Sequence, residues 1–259
     1  MRFATLILCA IILITVSARW IAPHDPMMTR TDDSLQPPSL AYPLGTDLLG
    51  RDVFSRVLYG GQRTITIAFA AVLVAILPSV PILFIQQAGT NADTLLTTLL
   101  NVLLAIPPLM LSLVLITVLG RGWWQIALAT GVAQIAPYAR VVRGVSLQTY
   151  RMAYVDGARA VGGSKPWIVT RHILPNCLPT LLAYAGVMFS YAIINSAALS
   201  FLGLGGAPGT PEWGAILAEG RLVVQDAPWV SIAPGVLIVL TVIAVNTWVD
   251  QFVSIERLQ

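Results

Sequence analysis

Between residues 151 and 176 the chain reads RMAYVDGARAVGGSKPWIVTRHILPN, a charged, glycine-bearing segment set between two long apolar runs. Arg151, Asp156, Arg159, Lys165, Arg171 and His172 all fall inside it. A charge at the bilayer centre costs roughly 2.5–3.5 kcal/mol on insertion scales. The segment therefore belongs in water or against another protein, while its flanks belong in lipid. Within it, 153–161 is helix-compatible and carries the small residues Ala153, Gly157, Ala158 and Ala160. Gly162-Gly163 supplies a residue free to take positive φ where that helix stops. Ser164 and Pro166 then suit the N-cap and first turn of a second helix, expected to run to Leu174 and to be interrupted at Pro175. Helix, glycine turn, helix is the form of a compact knob offered to a partner's groove.

Composition settles the class of the remainder. The chain is 56% hydrophobic and only 10% charged, with mean hydropathy +0.78, whereas a soluble domain carries roughly 25% charged residues. An all-α polytopic membrane protein is expected. Lys165 is the one lysine and no basic run occurs, so nucleic-acid binding has no footprint. Cys9 and Cys177 lack CxxC or metal-type neighbours and read as inert thiols.

Six apolar spans of near the roughly 20 residues a bilayer requires are expected. The first, within 1–22, reads either as a signal peptide with Val16-Ser17-Ala18 as its cleavage site or as a retained helix with Trp20 at the interface. The five later spans favour a retained helix. Residues 23–63 form the longest polar stretch, rich in proline at first, with a short amphipathic helix expected over 48–59. Its Leu49, Val53 and Val57 would lie on one side and Arg51, Asp52 and Ser55 on the other, suiting a membrane surface. The core, 64–259, carries further spans at 64–85, 93–119, 125–142, 178–202 and 231–249, a brief turn at 86–91, and polar loops at 143–177 and 203–230. Arg140, Arg143, Arg151, Arg159, Lys165 and Arg171 flank or fill the loop at 143–177 and put it in the cytoplasm. Six spans then leave both termini cytoplasmic and 23–63 and 203–230 outside.

Asp156-Gly157-Ala158, Gly162 and Leu174-Pro175 resemble the EAA signature (EAA, three residues, G, nine residues, I-x-L-P) of the permeases of ABC importers. Asp156 stands for Glu, Gly157 for the first Ala, and His172 for the usual Ile. Leu44-Gly45-Thr46-Asp47, Gly50-Arg51-Asp52, Ser55-Arg56 and Gly60 resemble the LGTDxxGRDxxSRxxxG stretch of one branch, the "C" subunits of dipeptide, oligopeptide and nickel importers. The alternative for these charges, that Arg and Asp simply pair with each other, stays open. FLGLG at 201–205 and PEWG at 211–214 resemble the same branch.

The resemblance implies a type I ABC importer permease fold in a prokaryotic inner membrane. It implies a coupling helix in which Asp156, Gly157, Ala158, Arg159, Gly162, Leu174 and Pro175 meet the ATPase. The partners it implies are a homologous "B"-type permease subunit, two ATPase subunits and an extracytoplasmic solute-binding protein. ATP and Mg²⁺ would be held by those ATPase subunits, with no cofactor or metal in this chain. The cargo it implies is a di- or oligopeptide, with nickel or a nickel chelate as the alternative.

The chemistry absent from the sequence agrees. There is no P-loop, no HExxH and no GxSxG elbow. The span interiors lack the paired charges of a proton-coupled carrier, so a self-contained secondary carrier or channel, or a membrane enzyme, is disfavoured. Asp93 and Asp250 at span ends are expected to be solvated at the interface. Asn101, Gln134, Tyr138, Ser190, Tyr191, Asn195 and Ser196 are the neutral polar groups within spans, either lining a path or bonding across helices. Glu212, Trp213, Glu219 and Asp226, in the loop 203–230, are the candidates for docking the binding protein, with Trp213 as aromatic anchor.

Overall fold

The computed structural model describes residues 2–85 and 90–256; residues 86–89 of the expected turn and the tail end at 257–259 lie outside the described residues. Among the described residues the chain is helical, with no strand beyond an isolated bridge between Thr46 and Asp52. In order, the helices are α1 (Arg2–Val16), α2 (Val53–Ser79), α3 (Thr90–Leu104), α4 (Pro108–Leu119), α5 (Trp123–Tyr150), α6 (Ala153–Ala160), α7 (Lys165–Phe201), α8 (Trp213–Gly220) and α9 (Trp229–Glu256). Single turns at Ala18–Ile21 and Ile82–Ile85 extend α1 and α2. By length and composition three described helices suffice to cross a membrane, or up to four if the bent pair α3–α4 is one span.

The helices pack through small residues. Ala68, Ala71 and Ala75 line the buried side of α2, and a Cβ on Gly131 of α5 would strike the Ala71 carbonyl and the Val74 side chain. Such close backbone approach is how helices gain van der Waals contact in lipid, where no hydrophobic drive separates them from tails. On this pair α7 is laid, touching α2, α5 and α9, while α1 rests against α9 and α2.

Three expectations are corrected. The amphipathic surface helix at 48–59 does not exist as a separate element. Its residues from Val53 onward are the first turns of α2, whose N-cap Asp52 accepts from Phe54 N and Ser55 N. Val53 and Val57 are buried as expected, but so are Arg51, Asp52, Ser55 and Arg56, because their partners are protein groups and not water. The span expected at 93–119 is bent by 86° between α3 and α4. Pro107 and Pro108 supply the cause: proline has no N–H for the preceding turn and pushes the residue before it out of α geometry, and Pro108 then starts α4. Finally, Pro175 does not interrupt its helix. A π-turn at Val169–Ile173, closed by Leu174 N bonding to Val169 O, absorbs the donor that Pro175 lacks, and the helix continues to Phe201.

Candidate functional sites at the two ends of α2

Helix α2 spans 27 residues, about 40 Å at 1.5 Å per residue. Each of its ends meets one of the segments singled out from the sequence.

At its N-terminal end an ionic cluster joins the segment 23–63 to the loop 203–230. Asp47 Oδ1 accepts from Leu49 N at 2.9 Å and from Arg51 N at 3.0 Å, while Arg51 Nε reaches Asp47 Oδ2 at 2.7 Å. Arg51 Nη2 continues to Glu219 Oε2 at 2.7 Å. Arg56, sealed from solvent, donates to Asp47, to Glu219 Oε1 at 3.2 Å and to the Gly209 carbonyl at 3.2 Å. Two guanidinium groups and two carboxylates sum to zero charge, and charge-assisted bonds of this kind are the arrangement that makes buried ions tolerable.

Beside this cluster lies the start of α8. Glu212 caps it, accepting from Gly214 N at 3.0 Å, Ala215 N at 3.2 Å and Thr64 Oγ1 at 3.1 Å. Burial pushes the Glu212 carboxyl up from its ordinary range. Trp213 is completely buried, its Nε1 donating to the Val57 carbonyl at 2.9 Å. This corrects the docking assignment for Glu212 and Trp213, whose side chains fasten the loop to α2 and present nothing outward. Glu219 is half-engaged in the ionic cluster, its side chain 32% exposed. Asp226 is exposed.

At the other end, Leu83 in the turn following α2 accepts from Tyr150 Oη at 3.2 Å and packs in one cluster with Val155, Ala158, Ile168, Val169 and Ile173. Helix α6 is thus seated on the body of the chain by Val155 and Ala158. Its stop has the expected form: Gly162 takes φ +86°, Gly162 N bonds to Arg159 O at 3.0 Å, and Gly163 N to Ala158 O at 3.0 Å. That pair of bonds is a Schellman motif, which satisfies carbonyls the helix end leaves orphaned. Ser164 precedes the next helix as expected, but without a side-chain capping bond. Ala158 is 8% exposed, so its small side chain fits the chain's own core and not a partner's groove, a second correction. Outward-facing instead are Tyr154, Asp156, Gly157, Arg159 and Val161, the last 82% exposed. Asp156 pairs with Arg159 at 2.7 Å, and the Arg159 guanidinium lies 5.8 Å from the Tyr150 ring centroid. His172 packs against the Trp167 ring, centroids 4.8 Å apart, and faces Tyr154 at 6.2 Å, tying α6 to the π-turn. Leu174 and Pro175 follow at the start of the long helical run.

The neutral polar residues divide. Asn195 Nδ2 donates to Ser112 Oγ at 3.1 Å and Thr130 Oγ1 at 3.3 Å, knotting α7, α4 and α5 together. Gln134, Tyr138 and Ser196 are equally buried, Tyr138 bonding to the Leu181 carbonyl at 3.4 Å. Asn195 and Tyr138 thus bond across helices, while Gln134 and Ser196 bond carbonyls of their own helices, at Thr130 and Ile193. Asn101 and Tyr191 reach the surface, Asn101 held by Arg140 at 2.7 Å. Asp93, expected at a solvated interface, is clamped bidentately by Arg143 at 2.9 and 2.7 Å. Among the described residues no group of His, Cys, Asp and Glu forms a metal-binding cluster.

The pairing of Arg with Asp within the stretch is one of the two readings open in the sequence, and Arg51–Asp47 and Arg56–Asp47 follow it; the link to Glu219 is not foreseen there. Its one available signal was Glu219, an acidic residue in a loop facing arginine-rich Gly50–Arg56 in a chain with few charges.

Comparison with known proteins shows the family and the fold. Residues 86–255 match the family described as binding-protein-dependent transport system inner membrane component. A putative peptide transport system permease of Brucella suis is 40% identical over 247 residues, covering 95% of this chain and 83% of the relative. The di/tripeptide transport system permease DppC of Pseudomonas aeruginosa is 34% identical over 252 residues, covering 95% and 83%. A glutathione transport system permease, GsiD, of Escherichia coli is 38% identical over 245 residues, covering 94% and 81%. In fold the chain resembles the inward-facing MetNI methionine ABC transporter, with TM-score 0.63 and 20% identity over 77% of this chain and 95% of that one. An amino acid ABC transporter gives TM-score 0.57 at 17% identity over 79% and 94%. A helical chain with apolar spans, a glycine-stopped helix seated at one end and this likeness along most of its length belongs to the family of binding-protein-dependent transport system inner membrane components.

Proposed function

We propose that this chain is one membrane subunit of an ATP-driven importer of di- or oligopeptides, and that α6 is its contact with the ATPase. The observation that carries the reading is the seating of α6: Val155 and Ala158 anchor it in the core while Tyr154, Gly157 and Val161 stand outward on the opposite side. A short helix fixed by one face, with the other exposed, transmits a push from a partner without bending. Its contact with the π-turn leads directly into α7, so movement of α6 reaches the packed helices.

In this reading the chain crosses the membrane six times with both termini in the cytoplasm. The ionic cluster then lies on the extracytoplasmic side and α6 on the cytoplasmic side. ATP and Mg²⁺ are held by two ATPase subunits, a homologous permease chain completes the path, and a solute-binding protein delivers the cargo. The exposed part of 203–230, including Asp226 and Leu222, is where that protein docks. The names of the relatives support peptide as the cargo class. Reconstitution into proteoliposomes tests the assignment. Peptide uptake should require this chain, its permease partner, the ATPase subunits, ATP and the binding protein together, and the purified chain alone should hydrolyse no ATP. Uptake by this chain alone, or hydrolysis by it free of contaminants, overturns the reading.

A further inference from the structure

A recess of about 510 Å³ opens beside the ionic cluster, between α2, the turn before α5, and the glycine-rich loop Gly203–Gly209. That volume lies in the range of roughly 300–1,000 Å³ typical of small-molecule sites. Four charged side chains matter in it: Arg63, Arg121, Glu212 and Glu219. The two carboxylates are already committed. Glu212 caps α8 and bonds Thr64, and Glu219 is shared by Arg51 and Arg56. The two arginines are not. Among the described residues neither Arg63 nor Arg121 has a carboxylate within ion-pair distance. The ionic cluster is neutral, so what it leaves in the recess is two guanidinium groups against the single carboxyl of Glu212, which is turned to the start of α8 and Thr64.

The wall opposite Arg63 lacks side chains. A Cβ on Gly206 would stand 3.7 Å from Arg63 Nη1, so glycine there leaves the guanidinium open to a ligand, while the nearby Thr210 hydroxyl donates to the Ala207 carbonyl at 2.6 Å. Arg121 precedes the N-terminus of the 28-residue α5, whose first N–H groups receive no side-chain cap, and that end of the helix favours negative charge. Two free guanidinium forks beside a bare backbone wall are the donor set for a carboxylate, bound bidentately.

We propose that this recess receives the carboxylate terminus of the peptide as the binding protein releases it. The inference rests on the peptide reading above. A flat docking contact for an acidic residue of the binding protein would not require a recess of this volume, and a contact too tight to leave would stop transport.

The test uses the assembled complex in proteoliposomes, with one peptide supplied as its free acid and as its C-terminal amide, both saturating the binding protein. Initial uptake is measured against the concentration of loaded binding protein. In Arg63→Gln/Arg121→Gln, uptake efficiency for the acid is expected to fall about tenfold or more, as loss of a charged hydrogen bond implies, with the amide changed less than about twofold. Arg121→Gln alone, on an exposed turn where it leaves folding intact, should show the same selectivity to a smaller extent. Arg63→Lys should recover part of the loss. Equal losses for acid and amide would mean that the arginines serve the binding protein and overturn the proposal, as would no change. A wild-type complex that imports neither peptide overturns the peptide reading itself, and the recess with it.

Discussion

Arg56 on α2 donates through Nη2 to Glu219 Oε1 at 3.2 Å, a bond between residues 163 positions apart, and through its other branch to Asp47. The guanidinium is wholly buried and bridges the two polar segments at the N-terminal end of α2. Arg56→Met leaves the buried Asp47 with Arg51 as its remaining counter-charge and the cluster one charge negative, so the cost should stay below the roughly 3–5 kcal/mol of a fully unpaired buried ion. Detergent-solubilised complex carrying it should unfold below the wild-type temperature. Glu219→Gln, at a partly exposed carboxylate, should cost much less. Equal melting of Arg56→Met and wild type would show that the cluster contributes nothing.

Trp213→Ala should act on stability and not on docking. The indole is fully enclosed against Gly60, Gly61 and Val57, and truncating a buried aromatic costs about 3–5 kcal/mol. Membrane levels of the variant should drop, while the affinity of the surviving complex for its binding protein stays unchanged. Normal levels with weakened binding-protein affinity would restore Trp213 to the docking surface.

The glycine within α6 and the one that follows its C-cap should respond oppositely. Gly162, at φ +86°, loses about 1–2 kcal/mol when a Cβ is forced into that conformation. Gly157 has open space around it, and Gly157→Ala gains up to about 1 kcal/mol of helix propensity. Thermal melts of Gly162→Val and Gly157→Ala should therefore shift in opposite directions. A shared direction contradicts the turn assignment.

Asn195→Ala removes two bonds that join α7 to Ser112 and Thr130. Interhelical bonds in membranes average about 0.6 kcal/mol, so the loss should be small and cargo preference unaltered. A changed preference among peptides would place Asn195 on the translocation path.

Much of this molecule is legible in its residues, and the remainder fails for identifiable reasons. Gly162 announced its own conformation because a helix stop is a local event, decided within a few residues. Arg51, Asp52 and Ser55 were assigned to water because charges on a short apolar helix have no other partner in view. Arg51 instead meets Glu219, brought there by the tertiary fold, and Asp52 and Ser55 bond each other at the start of α2. Trp213 looked like an anchor for the same reason: a lone tryptophan in a polar loop does not disclose that Gly60 and Gly61 leave room for it on α2. Ala158 was read as facing a groove, and the groove exists, but it belongs to the same chain. Pro107-Pro108 was visible as a break in the span; its 86° angle depends on how α4 packs against α5 and α7.

The most direct measurement is cysteine cross-linking at Val161, the C-cap residue of α6, which is 82% exposed. Val161→Cys in a Cys9→Ser background should couple this chain to an ATPase subunit in inverted membrane vesicles. The cross-linked complex should hydrolyse ATP without importing peptide, and reduction should restore uptake. Labelling of Val161→Cys by an impermeant reagent from the extracytoplasmic side, or undiminished uptake by the cross-linked complex, would contradict the assignment of α6 as the coupling element.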